Sequence, residues 1–141
     1  MEARREAVIV VDTNVICYRW MSSPNNAAAE AVLAKDPHWI APLVWRSQFR
    51  NIAALAIRRK AITIHAAQEI MRKAEATFDR CEFAVSSDAV LRLVARSNCT
   101  AYDCEFVALA DAERVHLVTA DRQLLQEFPE IAVSLDNFVR D

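Results

Sequence analysis

VIVVDTNV (8–15) carries four apolar, β-branched residues straight into a carboxylate, Asp12. Side chains branched at Cβ favour a strand. An unbroken apolar run fits a strand covered on both faces. HLVTA (116–120) ends in the same way, with Asp121 next in the chain. In an open parallel sheet, ligands bind beyond the carboxyl ends of the strands. Asp12 and Asp121 therefore sit where chemistry is expected and can converge on one crevice. Each also precedes a predicted helix and fits an N-cap. The two roles are compatible, because a capping carboxylate still has oxygens to offer.

Outward from these strands the chain alternates. Residues 7–12 are a predicted strand, 14–21 and 25–35 helices, and 38–42 a short strand. Long helices follow over 43–59 and 65–80, then an extended piece, EFAVS (82–86). Helices over about 88–97 and 101–114 lead to the strand 116–120. A short helix, 121–127, and a last strand, IAVSL (131–135), complete the pattern. Strands separated by helices need crossovers that pack on the sheet. The expectation is a three-layer α/β/α sandwich with a central parallel sheet, one domain over residues 1–141.

Composition narrows the chemistry. The chain of 141 residues has no glycine. A P-loop and a G-x-G-x-x-G turn both need backbone without a Cβ beside phosphate, and a G-x-S-x-G nucleophile elbow is equally excluded. Turns fall to Pro, Asn, Asp and Ser, as in SSPNN (22–26). The four cysteines form no C-x-x-C pair and histidines number only 3, which argues against zinc and for reduced thiols. No apolar run is long enough to span a membrane. The charged start MEARRE runs into a patch too short for a secretory leader, so the chain reads as cytoplasmic. The net charge is −2, yet fourteen of the 17 cationic residues are Arg, the better phosphate clamp.

Two helices add polar residues to faces that otherwise look apolar. In 101–114, Phe106, Val107, Leu109 and Ala110 define one face, and Asp103 shares it by helical spacing. Glu105 and Asp111 fall on the solvent side. A first-turn acid is also an ordinary feature of a helix start. In 43–59, Val44, Ile52 and Leu55 form a stripe flanked by Trp45 and Phe49, with Gln48 inside it. Gln48 also reads as a hydrogen-bonded core amide. Three carboxylates sharing a crevice repel one another unless a cation neutralises them. Carboxylate oxygen without Cys or His selects Mg2+ or Mn2+, and such a site suits hydrolysis of a phosphodiester.

VVDTNV (10–15), PLVWRSQFRN (42–51), TAYDCEFVALA (100–110) and LVTADRQLL (117–125) together resemble the PIN domain family. The likeness is strongest to its toxin branch, the VapC-like ribonucleases of type II toxin–antitoxin pairs. The resemblance implies an α/β/α fold and Mg2+- or Mn2+-dependent cleavage of single-stranded or looped RNA. It implies Asp12, Asp103 and Asp121 as catalytic metal ligands, with Asn14 and Thr119 as polar neighbours. The family's fourth acid is a Glu, and this chain has Gln48 in its place. Gln keeps a carbonyl ligand of similar shape but loses a charge, as a natural variant or a silencing change. The expected result is weaker metal binding and slower cleavage.

The resemblance also implies an antitoxin protein and a second copy of the chain as partners. Ala27, Ala31, Ile70 and Met71 are candidates for such surfaces, although residues of that kind also suit a core. Arg46, Arg50 and Arg122 are candidates to hold RNA phosphates, with Arg58 and Arg59 beyond them. Trp20, Trp39, Trp45 and Tyr102 are candidates to stack on bases or to pack in the core. Two rival readings stand beside the nuclease. A receiver-type phosphoacceptor domain also gathers acids at strand ends, but it needs a Lys after a late strand, and Lys35, Lys60 and Lys73 come too early. An inactive PIN-like module that binds RNA or protein is the other, and Gln48 is what favours it.

Overall fold

The computed structural model describes residues 7–141, so the charged start over residues 1–6 lies outside the described residues. Five short strands are β1 (Ile9–Val11), β2 (Trp39–Pro42), β3 (Glu82–Phe83), β4 (Leu117–Val118) and β5 (Ala132–Val133). Between and after them run α1 (Thr13–Trp20), α2 (Asn26–Lys35), α3 (Trp45–Arg58), α4 (Ile64–Thr77), α5 (Ser87–Ala95), α6 (Ala101–Glu113), α7 (Arg122–Glu127) and α8 (Leu135–Arg140). The strands form one sheet in the order β3-β2-β1-β4-β5, every pairing parallel. This is the α/β sandwich expected from the alternation.

The chain steps from β1 out to β3, then returns to β4 on the other side of β1. Right-handed crossovers place the helices of these two runs on opposite faces. In keeping with that, α1 packs on α2, α3 and α4, whereas α6 packs on α5 and across β1, β2 and β4. The strand order reverses between β1 and β4. That switch point leaves a crevice at their carboxyl ends, because the connections leave in opposite directions. Its floor is packed core: Ile9, Val10 and Val11 are all buried, and α6 buries Cys104 and every residue from Phe106 to Ala110.

Several expectations need correction. The buried face of α3 is Trp45, Phe49 and Ala53, one helical turn apart each. Ile52 and Leu55 are exposed. The aromatic rings decide the rotation: Trp45 meets Phe49 edge-on at 5.7 Å and Phe78 at 4.9 Å, and two large rings bury more apolar area than two aliphatic chains. Glu105 is half-buried rather than on the solvent side, and burial pushes its carboxyl up. The last strand is shorter than IAVSL, because Ser134 caps α8 by accepting from Asn137 N at 3.1 Å. The piece 82–86 pairs only through Glu82 and Phe83.

Without glycine, three cationic residues among those described take the left-handed conformation: Lys60 (φ 60°) and Arg114 (φ 57°) at helix ends, and Arg80 (φ 61°) in the turn that follows α4. All four cysteines are free. Burial pushes the Cys17 thiol up to about 12 and Cys99 to about 11, so neither is a ready nucleophile. Among the described residues no helix is long and apolar enough to cross a membrane.

Candidate active site

The site is built where β1 and β4 end. Backbone pairing continues one residue past each strand: Asp12 N donates to Val118 O at 3.0 Å, and Thr119 N to Val133 O at 3.1 Å. Asp12 and Thr119 are thereby held side by side. Thr119 is fully buried, and its hydroxyl donates to Asp12 Oδ2 at 2.6 Å while accepting from Asp121 N at 3.0 Å. One threonine thus links two of the three acids.

Asp12 is only 6% exposed. It caps α1, with Oδ1 accepting from Thr13 N at 2.7 Å, and Oδ2 also receives Asn14 Nδ2 at 3.4 Å. Asn14 Oδ1 in turn accepts from Ala120 N at 3.4 Å, tying the two strand ends together. Burial pushes Asp12 up to about 6; the bonds from Thr119 and Thr13 oppose this, and the charges of Asp103 and Asp121 add to it.

Asp103 lies in the first turn of α6, half-buried. Thr100 caps that helix through Asp103 N at 3.1 Å. Burial raises the Asp103 carboxyl, with the Thr100 hydroxyl working against it and the Asp121 charge for it. Asp121 caps α7, its Oδ1 accepting from Gln123 N at 2.8 Å and Leu124 N at 3.3 Å. The caps read from the sequence at Asp12 and Asp121 are therefore both present. The three carboxylates act on one another electrostatically, but they do not crowd as tightly as the sequence suggested. Among the described residues no three His, Cys, Asp or Glu side chains stand close enough together to hold a metal ion.

Gln48 is half-buried at the edge of the same crevice, its Oε1 accepting from the Thr13 hydroxyl at 2.5 Å. Thr13 is buried and was not among the residues singled out from the sequence. Its position directly after Asp12 was the available signal, but its partner lies 35 residues away. Of the arginines, Arg46 is not free for RNA. Its Nε and Nη2 bond Glu82 at 2.6 Å each, and Nη1 bonds Glu75. The helix rotation that buries Trp45 turns Arg46 toward α4 and β3. Arg50 and Arg122 are exposed. Trp39 and Trp45 are core residues, Trp20 is half-buried, and Tyr102, beside Asp103, is exposed. A cavity of about 600 Å³ opens near Ile9 and His116, at the opposite ends of β1 and β4, and plays no part in this crevice.

By residue type the acids suit a hard divalent cation, although as placed they stand too far apart to enclose one. Asp12, Asp103 and Asp121 are oxygen donors coupled through their charges, and Asp12 is buried at an energetic cost that a cation would relieve. The profile of the PIN domain family matches residues 9–131. The chain belongs to the PIN domain family. This PIN domain also resembles two solved structures. PAE2754 from Pyrobaculum aerophilum superposes with a TM-score of 0.73 at 18% identity, covering 94% of this chain and 86% of that one. A toxin–antitoxin complex from Klebsiella pneumoniae gives 0.67 at 18% identity, covering 90% of this chain and 97% of that one. At such identity the likeness is one of fold. Curated protein sequences include no significant match.

Proposed function

We propose that this PIN domain is a Mg2+- or Mn2+-dependent endoribonuclease, acting on single-stranded or looped RNA as the toxin of a toxin–antitoxin pair. The observation that carries the reading is Asp12: a buried acid at the switch point, pushed up to about 6 by burial and by two neighbouring acids. A bound cation would relieve the cost of a buried acid beside two others. Asp12, Asp103 and Asp121 would hold the ion, while the Gln48 carbonyl is taken by Thr13. A bound divalent cation supplies Lewis-acid stabilisation of the charge that develops on a phosphate during hydrolysis.

The chain's own residues do the rest. Thr119, Thr13 and Asn14 orient Asp12. Arg50 and Arg122, both exposed, suit flanking phosphates. Tyr102 suits a splayed base. An antitoxin, a homodimer and a cytoplasmic location follow from the toxin reading and belong to the same proposal.

A second reading is a non-catalytic RNA- or protein-binding module. It is favoured by Gln48, whose oxygen is already engaged by Thr13, and by the spacing of the acids. Cleavage of a pool of structured RNAs with Mn2+, by this chain and by Gln48→Glu, separates the two. The nuclease reading predicts a gain of about tenfold or more in Gln48→Glu, the scale on which ligand-supporting residues act. Cleavage by neither protein leaves the binding module.

A further inference from the structure

Thr13 touches both Asp12 and Gln48: its backbone N–H holds Asp12 Oδ1, and its hydroxyl donates to Gln48 Oε1. A hydroxyl has one proton to give. Turning the Gln48 amide over would set an N–H group against the hydroxyl and require another acceptor for its proton in a buried place. The amide is therefore held in one sense, carbonyl toward Thr13 and NH2 away from it. Among the described residues that NH2 makes no hydrogen bond, and the side chain is half-open to solvent.

A Glu here would accept at both oxygens; Gln48 donates at its free end. We propose that Thr13 is a positioning residue that sets Gln48 as an N–H donor to a phosphodiester oxygen of bound RNA, so that this position grips the substrate backbone. The proposal rests on the reading of the crevice as an RNA site. It also gives the amide a role that a silenced ligand lacks. The two N–H donors place partial positive charge at the rim of an acidic crevice, where an approaching phosphate otherwise meets repulsion.

The test uses the whole 15N-labelled chain in EDTA, where nothing is cleaved, with a short fluorescein-labelled single-stranded RNA of mixed sequence. Anisotropy reads affinity, and NMR reads the Gln48 side-chain NH2. In the native chain the NH2 signals shift saturably as RNA binds. Thr13→Val removes that shift and weakens binding about fivefold, as loss of one well-placed hydrogen bond does. Thr13→Ser restores both, which a purely structural role for the methyl would not. Gln48→Glu weakens metal-free binding about tenfold or more, because a carboxylate opposes the phosphate. Native binding with Thr13→Val or Gln48→Glu unchanged, or with the NH2 signals unmoved, overturns the inference alone. No binding by the native chain overturns the RNA reading and the inference together.

Discussion

Asp12 shows how far a single residue can be read. Its place at the end of VIVV announced a carboxylate carried to a strand end, and its capping of α1 was equally legible. Burial and two neighbouring acids disfavour its charged form. Replacing it by Asn removes that charge and keeps an accepted N-cap. Asp12→Asn should therefore abolish cleavage with only a modest change in melting temperature, because the lost burial cost of the charge offsets the acceptor given up to Thr119. Loss of activity accompanied by a large drop in melting temperature would point instead to a structural role. Thr13 and Arg46 were less legible for a common reason. What each does depends on partners brought close only by the fold, Gln48 for one and Glu82 and Glu75 for the other. Local spacing cannot say which way a polar side chain turns once a neighbouring Trp has chosen the core.

At the scale of elements, the order and type of the strands and helices could be read because apolar runs and helical spacing alternate cleanly. The errors lie where two patterns overlap. IAVSL reads as a strand to its last residue, yet Ser134 is an N-cap and Leu135 already belongs to a helix that buries Phe138. In α3, aliphatic and aromatic stripes compete for the interior, and the aromatics win. A sequence without glycine must also end helices with other residues. Lys60, following α3, sits at φ 60°, where a Cβ crowds the carbonyl oxygen and costs roughly 1–2 kcal/mol. Lys60→Gly should raise stability by about 1 kcal/mol, since the extra freedom of glycine in the unfolded chain offsets part of the relief. Urea unfolding checks it; an unchanged or lower midpoint would mean the strain is absorbed elsewhere.

Across the whole molecule, the candidate site lies where the strand order reverses between β1 and β4, which no single motif reveals but the ordered set of strands implies. The same architecture hangs its far edge on charge: Arg46 of α3 joins Glu75 of α4 and Glu82 of β3. Hydrogen bonds from Arg46 hold the Glu82 carboxyl below its ordinary value, with burial opposing and Trp45 assisting. The folded pKa lies below the unfolded one, so the contribution is fully present above the ordinary glutamate value, near 4.5, and is lost as pH falls through the lowered one. Arg46 is partly open to water, so the pair is worth about 1 kcal/mol. Stability should fall with acid below about pH 4.5, and Glu82→Gln should blunt that fall; equal acid sensitivity in both proteins would contradict it. The central claim, that acids from three separate segments serve one divalent ion, is tested most directly by calorimetric titration of Mn2+ into the metal-free chain. The account predicts saturable binding that Asp12→Asn eliminates and Gln48→Glu tightens. Absence of saturable binding in both the native chain and Gln48→Glu, or binding indifferent to Asp12→Asn, would contradict it.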